Sequence, residues 1–335
     1  MTPVARIAKK AGCSETTVRR VLRGGNKEVW SSTAKRASEI RRIARDVGFL
    51  PNASAAAVKK GRFNAVLLIL STDKGRCHMP EILLHSLCSA LEKAGQHLRI
   101  GRFSDEVLTD RETLPTFLGR WSCDGAIVNY TDRFPLRINE LLAQYRIPSV
   151  WINAPFENDC VRYDDRKGGY DAAMLLIKHG CRRPLYVDLR HDWIDDVHHS
   201  AIERPAGFAD ALKAAGRSVP EPINLGHLPA KAQMEELMRL LRDKNPPDGI
   251  VSFDRAERIL YAAAYVGLKI PDDFSLVTFS DGQSDFAGLP VMQMVVPCKA
   301  AAFSAVKTLM KKIESGGKGV KLAPLKLKFV SCTDT

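Results

Sequence analysis

Near residue 63 the chain changes pattern, and that change restricts its fold more than any other feature. Beyond it, short apolar runs alternate with amphipathic stretches. Residues 65–70, 125–129, 149–152, 184–188, 249–253 and 275–279 are apolar-rich runs of strand length. Residues 81–94, 136–145, 169–179, 204–215 and 255–266 carry apolar side chains at helical spacing. A run without a polar face is buried on both sides, as the strands of a parallel sheet are. Such strands separated by helices of roughly 10–15 residues predict an α/β fold.

The first 62 residues differ in kind. They hold 15 Lys and Arg against 4 Asp and Glu, whereas the rest of the chain holds 35 against 34. The chain is therefore a basic head on a neutral body. Positive charge gathered into one small module is the footprint of phosphate binding. The head is also patterned. Val4, Ala5, Ile7, Ala8 and Ala11 predict a helix over 4–11, which Gly12 ends by adopting a positive φ. Ser14 then caps a second helix over 15–23, with Val18, Val21 and Leu22 on its inner face and Gly24-Gly25 stopping it. A third helix over 33–47 closes the small core through Ala37, Ile40, Ile43, Ala44 and Val47. Two short helices joined by a Gly-containing turn make a helix-turn-helix, whose second helix enters the major groove of DNA. Glu15, Thr16, Arg19 and Arg20 are its exposed residues. Arg pairs bidentately with guanine, and Thr serves base edges or phosphate.

Ala8-Lys-Lys-Ala-Gly-Cys-Ser14, then Thr17-Val18 and Arg20-Val21-Leu22, resembles the headpiece of LacI/GalR-type repressors. The segment from Gly48 to Ala53, which contains Asn52, resembles the part that closes that headpiece. The resemblance implies DNA contacts from Ser14, Glu15, Thr16, Thr17, Arg19, Arg20 and Asn52. It also implies a hinge over 53–62, with Val58 as the apolar side chain wedged into the minor groove, an insertion that kinks the duplex. The sequence departs from the family at two places. The loop over 24–32 is a few residues longer, and Arg19 stands where Ser is common.

The resemblance continues through the body. Cys123-Asp-Gly-Ala-Ile-Val-Asn-Tyr130, Val161-Arg-Tyr-Asp164 with Gly168-Gly169, Arg204-Pro-Ala-Gly-Phe208, Pro246 through Asp254 and Leu276 through Asp281 follow the family order. It implies a headpiece over 1–52, a hinge over 53–62 and a two-lobed, periplasmic-binding-protein-like domain of Rossmann-like lobes over 63–335. Lobe 1 is expected over 63–161 and 297–330, and lobe 2 over 162–293. In such sheets ligands sit beyond the carboxyl ends of the strands. The expected effector-binding residues are Asp73, Asn129, Asn153, Phe253, Asp254, Ser280 and Asp281 at strand ends, with Arg204, His227 and Trp193. Five rigid donors suit Arg204 to hydroxyls or a carboxylate. Phe253 replaces a common Asn or Ser, and Ser280 replaces an acid. The pocket is thus less equipped for a neutral pyranose, and a carboxylated or partly apolar effector is expected.

Other classes fit poorly. No run of about 18 apolar residues could span a membrane, and residues 1–23 lack the apolar core of a signal peptide. A cytoplasmic protein is expected. The eight cysteines form no C-x-x-C pair and read as reduced core fillers. His191 through His199 offers ligand types for a metal, but its spacing matches no metal motif and reads as a lid carrying Trp193. No metal or cofactor is expected. A solute-binding protein of the same body fold would have a signal sequence and no basic head. A sugar-processing α/β enzyme would show a nucleophile elbow, P-loop or metal motif. The reading is a DNA-binding transcription regulator, a repressor, controlled by a small-molecule effector between its lobes. No heptad tail follows the last apolar run, so a homodimer is expected.

Overall fold

The structure, a computed structural model, describes residues 1–22, 31–49, 62–73, 75–114, 122–131, 133–190, 198–315 and 322–330. The hinge over 53–60, with Val58, and also Asn52, Trp193 and the loop over 24–30 lie outside the described residues. The chain divides into two compact units, Met1–Phe63 and Asn64–Thr335.

In the first unit, α1 (Pro3–Lys10) and α2 (Glu15–Leu22) precede α3 (Ser31–Asp46). Thr2 caps α1, its hydroxyl accepting the Ala5 amide at 3.1 Å. Gly12 turns the chain at φ 59°, a conformation a Cβ would disfavour. Ser14 accepts the Thr17 amide at 3.2 Å and shares a hydroxyl–hydroxyl bond of 2.9 Å with Thr17. Ile7, Val18, Val21, Ala37 and Ile40 are buried together, so each helix buries the stripe its spacing predicted.

The second unit holds two sheets. In chain order its elements are β1 (Ala65–Ser71), α4 (Glu81–Lys93), β2 (His97–Phe103), α5 (Asp105–Thr109), β3 (Gly125–Asn129), α6 (Arg137–Gln144), β4 (Ser149–Ile152), β5 (Cys160–Val161), α7 (Asp165–Lys178), β6 (Pro184–Asp188), α8 (Ser200–Ala214), β7 (Ile223–Asn224), α9 (Ala230–Leu241), β8 (Gly249–Ser252), α10 (Ala256–Val266), β9 (Ser275–Ser280), β10 (Met292–Val295), α11 (Cys298–Ser315) and β11 (Lys328–Val330). The first sheet has order β2-β1-β3-β4-β5 and is parallel throughout. The second has order β11-β10-β9-β8-β6-β7 and is parallel except where β11 pairs antiparallel with β10. Ala65 to Ile69, Gly125 to Asn129 and Gly249 to Ser252 are buried, as strands covered on both faces must be.

The chain passes between lobes after β5, after β10 and again before β11. Helix α11 returns to the first lobe, packing on α4, β3 and β4. Residues 328–330 then pair with β10, so the last strand belongs to the second sheet. Within the expected lobe 1 segment 297–330, α11 lies on the first lobe as expected, and residues 328–330 do not. Tyr163 and Leu325 bridge the two crossing segments.

The packing of α7 against α8 decides where the cleft side chains go. A Cβ on Gly169 would overlap the Arg204 carbonyl, and one on Gly207 would overlap the Arg166 carbonyl. The two helices therefore meet backbone to backbone, which only Gly permits. Gly168-Gly169 is packing, as the absence of a G-x-G-x-x-G frame indicated.

Candidate nucleic-acid interface and effector cleft

Helix α2 sets Glu15, Thr16, Arg19 and Arg20 on the face opposite buried Val18 and Val21. Arg19 Nη2 donates to Glu15 Oε2 at 3.2 Å, with both side chains about half exposed. Both charges are thus presented to solvent on one edge of the helix. Ser14, Thr17 and Arg20 line a depression of about 240 Å³ with Cys13, Thr33 and Arg36. Arg36 Nη2 donates to the Gly12 carbonyl at 3.0 Å, tying α3 to the turn before α2. Thr33 and Arg36 were not marked by the sequence reading. Their place three residues apart at the start of a third helix is the signal that could have marked them.

The cleft is built on strand ends and on α8. Arg204, buried on α8, donates through Nε to Asp165 Oδ1 at 2.7 Å. Its guanidinium lies 4.5 Å from the Phe253 ring centroid and 4.1 Å from that of Phe279. On the outer face of Phe253 sits the Arg190 guanidinium, 3.7 Å from the centroid. Arg190 is held by both oxygens of Asp188, the shortest contact being 2.7 Å. Two cations thus alternate with two aromatic rings, and each cation has its own aspartate. Burial alone would push the Asp165 carboxyl up, but the Arg204 guanidinium and His199 hold it well below the usual carboxylate range. Because Arg204 spends Nε on that bond, its two terminal nitrogens are not committed to Asp165.

Several expected effector residues take other roles. Asn129 is buried, and its Nδ2 donates to the His78 carbonyl at 2.8 Å. Its amide group thereby holds the loop after β1. Asp73 lies in the same loop, half exposed, and pairs with Arg76 at 3.1 Å. Ser280 bonds Gln293 Oε1 at 3.2 Å, and Asp281 bonds His78 Nε2 at 2.6 Å. His227 is exposed in the turn after β7. Phe253 has two guanidinium groups against its ring, those of Arg190 and Arg204.

Asn153 does fit. It sits after β4 at φ 55°, with its Oδ1 buried and unpartnered. Its carbonyl meets His198 Nε2 at 3.1 Å. Burial, and then neighbouring His199, pushes His198 down to about 3, so this imidazole is neutral. Asp254 Oδ1 is likewise buried without a partner, and burial pushes that carboxyl up to about 6. His198 and His199 were not singled out as ligand residues, whereas Asp254 was expected at a strand end beside Phe253. The first two lay inside the segment read as a lid. Among the described residues no group of three His, Cys, Asp or Glu side chains is placed to hold a metal.

A model of the periplasmic binding protein-like domain matches residues 173–327. The HTH-type transcriptional regulator GntR of Pseudomonas aeruginosa is 24% identical over 331 residues, covering 96% of this chain and 92% of that protein. DegA of Bacillus subtilis, an HTH-type transcriptional regulator, is 26% identical over 308 residues, covering 89% and 87%. These alignments run through head and body in one order. The chain is similar, along nearly its whole length, to HTH-type transcriptional regulators, and the second half of its body to periplasmic binding protein-like domains. Solved structures agree on the fold. A Lac repressor dimer bound to operator and the anti-inducer ONPF superposes at TM-score 0.74 with 16% identity, covering 97% of this chain and 96% of that one. A CelR–cellobiose complex superposes at 0.62 with 20% identity, covering 98% and 97%. Both of the relatives, GntR and DegA, are HTH-type transcriptional regulators. No described helix is long and apolar enough to cross a membrane.

Proposed function

We propose that this protein is a repressor that binds double-stranded operator DNA as a homodimer and changes its operator affinity when a small-molecule effector occupies the cleft. One observation carries the reading. The basic head folds a helix whose outer face holds Glu15, Thr16, Arg19 and Arg20 over a buried Val18–Val21 stripe, and that head is joined to a two-lobed body. Two heads on a dimer read two half-sites. The solved Lac repressor dimer is bound to an operator and a ligand, and the CelR structure holds cellobiose. Both support the same partner classes here.

The effector is a sugar acid or a similar hydroxylated carboxylate. Arg204's uncommitted fork suits a carboxylate bound through two parallel bonds. The unpartnered Oδ1 atoms of Asn153 and Asp254 suit hydroxyl donors. A neutral hexose would leave the fork unpaired, a cost that a hydrogen-bonding site imposes on a wrong ligand.

Selection of fragments from a random DNA pool tests the reading, run with the full chain and repeated with sugar acids and neutral sugars. Enrichment of a near-palindromic site, weakened or strengthened by a sugar acid, is expected. Equal retention of DNA by a chain beginning at Phe63, at matched ionic strength, would overturn it.

A further inference from the structure

Among the described residues, two side-chain hydrogen bonds join the lobes, and both use histidine. His198 of the second lobe meets the Asn153 carbonyl of the first. His78 of the first lobe meets the Asp281 carboxylate of the second at 2.6 Å. We propose that His78 and Asp281 form a proton-linked clasp, so that the balance between closed and open cleft follows pH through this pair.

Both ends of the clasp are fixed to their own lobe. On the first lobe, Asn129 Nδ2 holds the His78 carbonyl. The Cys77 thiol next to it donates to the Asn129 carbonyl at 2.9 Å and receives the Ser71 amide at 3.0 Å. Arg76, buried, pins the same loop through Asp105 at 2.9 Å. On the second lobe, buried Gln293 ties the segment after β9 by accepting the Ser284 amide at 2.9 Å and donating to the Ser284 carbonyl at 2.8 Å. A contact between two pinned loops forms when the lobes approach and breaks when they part. It loses little side-chain freedom in doing so, which long flexible ion pairs cannot avoid.

The groups around it set the sign. His78 faces Asp281 and, farther off, Asp254, both from the second lobe, and these hold its imidazole above the ordinary histidine range. Asp281 in turn faces the Tyr163 hydroxyl and the Cys298 thiol of the crossovers. Burial pushes both of those up, Cys298 to about 12, so they stay neutral. The clasp is at full strength below the ordinary histidine value. It weakens as pH rises through the raised His78 value. His198 titrates far lower, so the other bridge is indifferent across that window.

The inference rests on the two-lobed sensor reading only for what closure serves, and its test uses neither DNA nor effector. A dye pair is attached through non-native side chains at exposed Glu140 and Lys244 on the full chain, diluted with unlabelled protein. Energy transfer is followed from about pH 5.5 to about 8.5, across the ordinary histidine range. The closed-to-open ratio is expected to fall roughly threefold, the worth of a largely exposed ion pair. His78→Gln and Asp281→Asn should each abolish the pH dependence. In carbon-labelled protein, the His78 midpoint should drop in Asp281→Asn. Transfer that is flat in the wild type, variants that titrate like it, or a His78 midpoint unmoved by Asp281→Asn would each overturn the clasp. A failed clasp with intact operator binding leaves the regulator reading standing. A titrating clasp without operator binding overturns that reading alone.

Discussion

Arg204→Met tests the cleft at its centre. The substitution keeps much of the side chain's length and removes the guanidinium. Asp165 then remains with none of its surface exposed, with His199 Nε2 3.5 Å from its Oδ2. Removing one partner of a buried ion pair costs about 3–5 kcal/mol, because a buried charge is left uncompensated. Losing the contacts to Phe253 and Phe279 costs about 1 kcal/mol more. At about 2–4 °C per kcal/mol for a body of this size, the melting point should fall by roughly 10 °C. Adding Asp165→Asn removes the stranded charge and should recover about half of that loss. The pH dependence separates the two states further. In the wild type the Asp165 carboxyl sits below its unfolded value, so its contribution is present above the ordinary carboxylate range and is lost as pH falls. In Arg204→Met the carboxyl sits above it, so the variant's deficit should shrink as pH is lowered from about 7 to about 5. Urea or thermal unfolding at both pH values reads these changes. A single-variant loss under about 1 kcal/mol, or a double variant no more stable than the single, refutes the buried-pair account.

Three further perturbations address other levels. Gly207→Ala forces α8 away from the Arg166 carbonyl and should cost about 1–3 kcal/mol or more, with sugar-acid affinity falling alongside; unchanged melting and binding would refute the close crossing. Arg19→Ala and Arg20→Ala remove exposed side chains and should leave thermal stability alone. If each reads a guanine, operator affinity should fall by about 1–3 kcal/mol and specificity should relax, whereas a phosphate contact would instead lower the salt slope by about one. Tyr261 and Tyr265 stand one turn apart on α10, 70% and 72% exposed, a pairing that suits a protein partner better than water. Replacing both by Asp should shift sedimentation from dimer to monomer at micromolar concentration, and an unchanged dimer would place the interface elsewhere.

Strand runs and the head were legible because burial on both faces and helical spacing leave marks in a linear sequence. Residues 125–129, 149–152 and 184–188 are strands at the predicted bounds. β2, α9, β10 and α11 were not assigned. β2 is an edge strand with His97, Ile100 and Arg102 exposed, so it carries no continuous apolar run. The cleft was legible in position and not in role. Strand-end rules bring Asn129, Asn153, Phe253 and Asp281 to one region, but whether a polar group is free depends on partners far away in sequence. Asn129 is used by a carbonyl 51 residues away, and Asp281 by an imidazole 203 residues away. Arg204 was expected to touch ligand. It pairs with Asp165 and still keeps its outer edge.

The position of Asp165 explains why binding in this cleft should move the lobes. Asp165 opens α7, directly after the crossover residues Arg162, Tyr163 and Asp164. Asp164 caps that helix through the Lys167 amide at 3.1 Å, and its own amide bonds the Leu325 carbonyl of the neighbouring crossover. Arg162 reaches Glu203, one residue before Arg204, at 3.4 Å. A carboxylate seated on the Arg204 fork is therefore one helical turn from two of the three chain crossings. It need not send a signal through a core. It only has to bind one crossover geometry better than the other, and a differential of about 1–3 kcal/mol is enough to change operator affinity by roughly 5- to 150-fold. An effector that bound tightly but equally to both geometries would leave operator affinity unchanged, which is why affinity for the cleft and control of DNA binding must be measured separately.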